Sequence, residues 1–267
     1  ELKNKKDLTV KQLFSHYSGM KSWIPFYKKT IDSVTNTRIN KYYSNKKSQK
    51  FPFQVSDDLY IRNYNDTIFN EIINSELSDS LSYVYSDLPY FLLKFYLEKK
   101  YQLSLDTQIK NYLYDKIGST SLTYKPTNFL DKKLIVPTAV DDYFRFNLVE
   151  GHVHDMGAAM MDGISGHAGL FGNSLDIAKI LQLFLQKGSY ANEKFFDEKF
   201  FDLFNFRHFK EKKVRRGIGF DKPELDPDDP NTCGCVSDKS FGHYGFTGSV
   251  AWVDPETEII YVFLSNR

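Results

Sequence analysis

Two short segments carry the residues best suited to acyl-transfer chemistry. Tyr85-Ser86-Asp87 combines a phenol, a hydroxyl and a carboxylate, and His243-Tyr244-Gly245-Phe246 places an imidazole at the head of a strand that contains glycine. A tyrosine can act as a general base only if neighbouring positive charge lowers its pKa from about 10 towards neutrality. Tyr85 is the candidate base, and His243 is placed to face both Tyr85 and a substrate carboxylate. The alternative is that Tyr85 is one core aromatic among 18 tyrosines and that His243 is a structural histidine.

A serine nucleophile in a Ser-x-x-Lys motif is harder to place. That spacing puts Ser and Lys on one face of the first turn of a helix. Two matches occur, Ser18-Gly19-Met20-Lys21 and Ser44-Asn45-Lys46-Lys47. The first contains Gly19, a helix terminator, and the second lies in a polar stretch without clear periodicity, so neither is predicted to be the nucleophile. Gly163-Ile164-Ser165-Gly166-His167 also falls short of Gly-x-Ser-x-Gly, because His167 stands in place of the last glycine.

The histidines and cysteines raise metal and redox hypotheses. His152, His154 and His167, together with Asp155, are zinc-type ligands. No His-Glu-x-x-His occurs, and glycine-flanked histidines are more often turn residues, so we predict no metal and no other cofactor. Cys233-Gly234-Cys235 is too closely spaced to bridge separate elements, and we expect free or weakly bridged loop thiols.

Composition excludes several classes of function. The 267 residues are 41% hydrophobic and 16% aromatic, which suffices for one large core or two joined lobes. Because 35 basic residues balance 34 acidic ones, the net charge is +1, and the chain lacks the basic footprint of a nucleic-acid or anionic-membrane binder. No apolar run reaches the length of a membrane span, and residues 1–6 lack the hydrophobic core of a signal peptide. Small molecules or peptides are the expected partners.

Local patterns predict the elements that position these residues. Thr9-Val10-Lys11-Gln12 has the form of a capping box, and we expect its helix to include Tyr17 and to end at Gly19. The nearly continuous apolar run Leu88–Leu97 predicts a helix buried in the centre of a lobe, directly after the Tyr85 triplet. Further predictions are helices capped by Ser104 and by Asn173 or Ser174, and a long surface loop at Pro223–Asp238.

The end of the chain changes to the period of a β-strand. Ser249–Val253 and Glu258–Leu264, joined by a turn at residues 254–257, predict an antiparallel hairpin whose second strand is interior. Helices in the middle and an antiparallel sheet at the end make an α+β, or mixed α/β, domain.

Four segments in order resemble the class C β-lactamase and penicillin-binding-protein-like serine hydrolase family. They are residues 8–20, Tyr85-Ser86-Asp87, residues 166–171 and residues 242–248. The resemblance implies a β-lactamase/transpeptidase-like fold, with an antiparallel sheet flanked by helices and a mostly helical lobe at about residues 20–170. It also implies a single domain over residues 1–267 that is incomplete at its beginning and at its end. The chain looks particularly like the β-lactamase-related domains that are fused behind glycoside hydrolases.

The same resemblance implies roles for the residues that opened this section. Tyr85 would be the general base, Asp87 would replace the family's usual Asn, and His243 would replace the Lys of Lys-Thr-Gly. The Phe246 N–H would be one half of the oxyanion hole. Ser86, Tyr244 and Gly245 complete the expected substrate-binding set. In the family, Ser-x-x-Lys lies a few dozen residues before the Leu8-Thr9-Val10 segment, so here it would precede Glu1.

The implied activity is acyl hydrolysis through an acyl-enzyme. Asp87 cannot donate a hydrogen bond as Asn would, and His243 is only partly charged near neutrality, so esterase or D-amino-acid peptidase activity is favoured over more than weak β-lactamase activity. Small peptides or cell-wall fragments would be the substrates, and the family implies the bacterial periplasm or cell envelope. The alternative is a non-catalytic peptide- or glycan-binding module that retains the cleft.

Overall fold

The computed structural model describes residues 3–267, so the first two residues of the 1–6 segment lie outside the described residues. None of the helices within residues 3–267 combines the length and the apolar character that crossing a bilayer requires. The α-helices are α1 (Val10–Phe14), α2 (Asn65–Asn74), α3 (Leu88–Tyr101), α4 (Leu105–Ile109), α5 (Met156–Ala159), α6 (Ser174–Leu185) and α7 (Glu198–Asn205). The strands are β1 (Tyr43–Ser44), β2 (Phe53–Ser56), β3 (Leu59–Ile61), β4 (Thr123–Tyr124), β5 (Pro137–Asp141), β6 (Asn147–Glu150), β7 (Leu170–Phe171), β8 (Ser189–Tyr190), β9 (Glu193–Lys194), β10 (Phe241–Tyr244), β11 (Val250–Asp254) and β12 (Ile259–Phe263).

Helix α1 begins as predicted but ends earlier. Thr9 Oγ1 accepts from the Gln12 N–H at 3.2 Å, and Gln12 Oε1 accepts from the Thr9 N–H at 2.9 Å, which confirms the capping box. The helix stops at Phe14 and does not reach Gly19, because the fully buried His16 adopts a left-handed φ of 57°. This early stop turns the chain towards the segment that holds Tyr85.

Helix α3 follows the Tyr85 triplet directly, with Asp87 as its N-cap residue, as predicted. Its first half is buried through Leu88 and Phe91. Tyr96 is 58% exposed, so the expectation of a helix buried throughout is wrong for the second half, where charged residues follow one another. The helix predicted after Asn173 is confirmed as α6, and the Asn173 side chain accepts from the Asp176 N–H. The helix predicted after Ser104 is present as α4, but it ends at Ile109 and the Ser104 side chain makes no capping hydrogen bond, so that part of the prediction is wrong.

The sheet that carries His243 has the strand order β10-β11-β12 and is antiparallel throughout. Its second pair confirms the predicted hairpin. The expectation that β12 is interior is wrong within residues 3–267, because β12 is an edge strand there. Ile259, Tyr261 and Phe263 are each more than half exposed, and they alternate with Ile260 and Val262, which pack on the core.

The described residues form two separate apolar cores. The larger core contains Leu88 and Phe91 of α3, and the smaller core contains Phe241 of β10 with Val253 of β11. Tyr85 therefore immediately precedes an element of one core, and His243 lies on a strand of the other. The predicted division into lobes near residue 170 stays a prediction.

The predicted surface loop at Pro223–Asp238 is confirmed, since it contains no helix or strand. Arg207 Nη1 donates to Asp238 Oδ1 at 2.5 Å, and Ser237 Oγ donates to Asp254 Oδ1 at 2.5 Å. Cys233 and Cys235 form a disulfide within this loop, so their thiols are not free.

Candidate active site

The structure brings Tyr85 and His243 together from distant parts of the chain. Their ring centroids lie 6.2 Å apart, with the planes inclined by 49°. Tyr85 is 43% exposed, so its ring is accessible from solvent. The preceding loop and α3 position Tyr85, whereas pairing of His243 with Ala251 in the sheet positions the imidazole.

Arg216, which the sequence motifs did not indicate, contacts both rings. Its Nη1 is 3.0 Å from His243 Nε2, and its Cζ is 5.0 Å from the centroid of the Tyr85 ring. Nη2 donates to Asp221 Oδ2 at 3.0 Å, and Nε donates to the Tyr83 hydroxyl at 3.0 Å. The only sequence clue is the pair Arg215-Arg216 before Gly217-Ile218-Gly219, which does not by itself indicate contact with His243.

The pKa values of the two rings differ from the expectation. Partial burial, aided by the Asp87 carboxylate, raises the pKa of Tyr85 to about 12, and Arg216 offsets this only in part. The groups within residues 3–267 therefore do not lower the pKa of Tyr85 towards neutrality, as a general base would require. Burial and then the charge of Arg216 lower the pKa of His243, so its imidazole is neutral at pH 7 and does not supply the positive charge expected of a lysine substitute.

Ser86 ties the Tyr85 segment to the loop after α1. The Ser86 N–H donates to His16 Nδ1 at 3.0 Å, and Ser86 Oγ donates to the Lys21 carbonyl at 2.6 Å. Ser86 and His16 are both fully buried, and the His16 ring lies 4.5 Å from the ring of Tyr85. Ser86 therefore supports the position of Tyr85 from within the protein, and its predicted contact with substrate stays a prediction that this burial does not favour.

Asp87 faces a small acidic, aromatic cavity of ≈ 20 Å³. The side chains that line the cavity include Trp23, Phe26, Tyr27, Asp87, Phe91 and Asp155. Burial, and to a lesser degree the Asp155 charge, raises the pKa of Asp87, while His167 lowers it. The Asp87 carboxylate accepts no capping hydrogen bond from α3, although Asp87 is the N-cap residue.

Asp155, His167 and Ser165 form a hydrogen-bonded chain beside Asp87. His167 Nε2 donates to Asp155 Oδ1 at 2.8 Å, and Ser165 Oγ lies 2.9 Å from His167 Nδ1. Burial lowers the pKa of His167, but the ion pair with Asp155 outweighs burial and raises it overall. Ser165 is only 1% exposed, so the arrangement is a buried structural network and not an accessible nucleophile.

The remaining predicted substrate-binding residues are Tyr244, which ends β10, and Gly245 and Phe246, which follow it in a turn. Tyr244 donates its hydroxyl to the Asn231 carbonyl at 2.5 Å. The Gly245 N–H donates to the Ser249 carbonyl at 2.7 Å, so this glycine closes a turn. Phe246 is 68% exposed, although its ring stacks on His154 at 5.0 Å. Substrate contacts of these three residues stay predictions.

The zinc hypothesis finds no support in the described part of the chain. No group of three or more His, Cys, Asp or Glu side chains that could hold a metal occurs within residues 3–267. His154 Nε2 lies 3.1 Å from the Tyr143 hydroxyl, and His152 Nε2 lies 3.7 Å from Asp57 Oδ1, whereas His167 binds Asp155. The three histidines thus have separate partners.

The two Ser-x-x-Lys matches lie outside helices. Ser18 is buried in an irregular segment, where Ser18 Oγ accepts from the Met20 N–H at 3.4 Å. Ser44 ends β1, and Ser44 Oγ donates to the Lys46 carbonyl at 2.9 Å. Neither serine shares a helical face with its lysine.

Comparison with solved structures identifies the class. The octameric penicillin-binding protein homologue from Pyrococcus abyssi is similar with a TM-score of 0.59 and 18% identity, over 99% of this chain and 55% of that one. The D-stereospecific amidohydrolase from Streptomyces sp. is similar with a TM-score of 0.58 and 15% identity, over 94% of this chain and 65% of that one. The mixed helix and antiparallel sheet thus form the β-lactamase/transpeptidase fold, which confirms the predicted fold class.

The sequence comparison then gives the family. The profile of the family described as Beta-lactamase matches residues 2–267, and the chain therefore belongs to the β-lactamase family of serine hydrolases. The N-acetylmuramyl-L-alanine amidase of Bacillus subtilis (strain 168) is 28% identical over 278 residues, which cover 100% of this chain and 57% of that protein. A protein of Salmonella enteritidis, named as a candidate D-alanyl-D-alanine carboxypeptidase, is 30% identical over 72% of this chain and 47% of its own length. The chain spans about half the length of these curated relatives.

Proposed function

We propose that this chain contributes Tyr85 and His243 to the active site of a serine acyl hydrolase that works through an acyl-enzyme. The observation that carries the proposal is the 6.2 Å approach of these two rings, which come from distant parts of the chain. The Phe246 N–H donates no hydrogen bond within residues 3–267, so it is free to bind an oxyanion.

In the proposed reaction, a serine hydroxyl attacks the substrate carbonyl and transfers its proton to the Tyr85 oxygen. Tyr85 passes that proton to the leaving amine or alcohol, and water then hydrolyses the acyl-serine ester. Because the pKa of Tyr85 is about 12 beside Arg216, a second cation has to lower it. We propose that this cation is the lysine of a Ser-x-x-Lys segment outside residues 1–267, which also supplies the nucleophile.

The proposed substrates are amides or esters of small peptides or cell-wall fragments, and the proposed location is the cell envelope. The printed names of the Bacillus and Streptomyces relatives, an amidase and an amidohydrolase, support amide substrates. Asp87 supports a substrate with an N–H or ammonium donor, since a carboxylate only accepts. The Cys233–Cys235 disulfide fits an oxidising compartment. Fusion to a glycoside hydrolase stays a prediction.

Covalent labelling of the full natural protein tests this function. A fluorophosphonate probe is expected to form an adduct, and acetyl esters and peptides ending in D-alanine are expected to be hydrolysed. Tyr85→Phe removes the proton acceptor and is expected to slow acylation by at least about 100-fold. Tyr96→Phe, on the exposed face of α3, is the matched control and is expected to label normally.

The rival function is a binding module without catalysis. A full protein that binds a peptide but forms no covalent adduct, and whose Tyr85→Phe variant binds equally well, would establish that rival and remove the hydrolase proposal.

A further inference from the structure

The side chain of Arg216 is held in one position by its neighbours. Only 3% of the residue is exposed, and its three nitrogens contact Tyr83, His243 and Asp221. Asp221 is itself fixed, because Arg215 Nε donates to its Oδ1 at 2.7 Å and its backbone pairs with Gly242. The guanidinium therefore has a defined place and orientation beside β10.

The hydrogen bonds of His243 determine its protonation. Nδ1 lies 2.8 Å from the Tyr244 carbonyl, which only accepts, so Nδ1 carries the hydrogen. Nε2 lies 3.0 Å from Arg216 Nη1, which only donates, so Nε2 presents its lone pair. An imidazolium would set an N–H against the guanidinium N–H.

We propose that Arg216 is the permanent positive charge of this site and that it positions His243 as a neutral imidazole with its hydrogen on Nδ1. Arg216 thereby takes the electrostatic part that the family resemblance assigned to residue 243. A guanidinium stays protonated throughout the pH range in which a protein is folded, so this charge does not titrate away as that of a histidine would. The hydrogen-bond assignment stands on geometry, and its catalytic meaning rests on the proposed function.

Other groups around His243 do not supply an equivalent charge. Arg215 is bound to Asp221 and to Glu224, whose carboxylate its Nη1 contacts at 2.8 Å. His16 is kept neutral, because burial and then Arg216 lower its pKa to about 3. Tyr85 presents a neutral phenol. Arg216 is thus the cation closest to both rings of the site among the groups that face His243.

Nitrogen-15 spectra of the full chain, labelled at histidine, test the assignment directly. In the wild type we expect a protonated Nδ1 signal and an unprotonated Nε2 signal at neutral pH, with a titration midpoint below the ordinary value of about 6.5. Arg216→Met keeps the length of the side chain and removes the charge. It is expected to shift the His243 midpoint upwards and to mix the two tautomers.

Two further variants complete the test. Arg216→Lys keeps a charge without the planar fork and is expected to give an intermediate midpoint, whereas Arg38→Met removes a charge elsewhere and is expected to leave the His243 signals unchanged. A wild-type Nε2–H tautomer, or a midpoint at or above about 6.5, would overturn the proposal without any variant. An unchanged midpoint in Arg216→Met would do the same, and if that variant does not fold, the wild-type and Arg216→Lys spectra decide. If the spectra are as expected but the full protein is not labelled covalently, the hydrolase proposal fails and the assignment of His243 and Arg216 stands.

Discussion

The ion pair between Asp155 and His167 provides a quantitative test of how the Asp87 side of the site is held. Asp155 Oδ1 accepts from His167 Nε2 at 2.8 Å and from the Ala158 N–H at 2.7 Å. The His167 side chain is 5% exposed and that of Asp155 is 33% exposed. Removing one partner of a buried ion pair costs about 3–5 kcal/mol, and the partial exposure of the carboxylate reduces this, so we expect Asp155→Asn to lower the free energy of unfolding by about 2 kcal/mol.

The cost of Asp155→Asn is expected to depend on pH. Pairing outweighs burial in both residues, so the pKa of His167 is raised and the pKa of Asp155 is lowered. The raised pKa of His167 gives stability that is complete below about pH 6.5 and is lost as the pH rises through its folded value. The lowered pKa of Asp155 gives stability that is complete above about pH 3.9 and is lost as the pH falls through its folded value. The largest effect is therefore expected between about pH 4 and 6.5.

Urea unfolding of the wild type and of Asp155→Asn, followed by circular dichroism at several pH values, measures this effect. Asp115→Asn is the control, because Asp115 pairs with Lys110 on the surface and the exchange is expected to cost less than about 1 kcal/mol. The reasoning is refuted if both substitutions cost the same, or if the cost of Asp155→Asn is equal at pH 5 and at pH 9.

Two further outcomes follow from the site. Asp87→Asn is expected to raise the urea midpoint at pH 7, because burial and the Asp155 charge disfavour the charged form of Asp87. This gain in stability should vanish below about pH 4, where the carboxyl group is protonated in both the folded and the unfolded state. A gain that does not depend on pH would contradict this cause. Gly242→Ala is expected to lower the free energy of unfolding by about 1–3 kcal/mol, since an added Cβ would lie 2.3 Å from the Ala251 carbonyl oxygen. Unchanged thermal unfolding together with an unchanged His243 nitrogen-15 spectrum would contradict that packing argument.

Elements defined by local hydrogen bonds were predictable from the sequence. The Thr9 capping box of α1 and the Asn173 N-cap of α6 each depend on atoms three residues apart, and the hairpin of β11 and β12 depends on one short turn. The resemblance of four short motifs, in order, to one family was enough to predict the fold class, and the family match over residues 2–267 agrees with it. These features need no knowledge of distant contacts.

The edge position of β12 and the early end of α1 were not predictable in the same way. The run of apolar residues in β12 is compatible with an interior strand. Whether a strand is interior or at the edge, however, depends on whether other strands pair with it on both sides. Likewise, α1 ends at Phe14 because His16 turns inward to bind Ser86, and this partner lies 70 residues away. In both cases the deciding contact is tertiary, and the local pattern carries no information about it.

The position of positive charge in the site also depends on tertiary contacts and not on a local pattern. The family resemblance implies that His243 replaces a lysine, and that motif taken alone assigns the positive charge to residue 243. In the fold, the Tyr244 carbonyl fixes the hydrogen on Nδ1, which leaves a lone pair on Nε2. Arg216 meets that lone pair because the backbone pairing of Asp221 with Gly242 brings its segment alongside β10. In our proposal the positive charge of the site therefore belongs to Arg216 and not to residue 243, and the evidence for this is the paired geometry and not the motif.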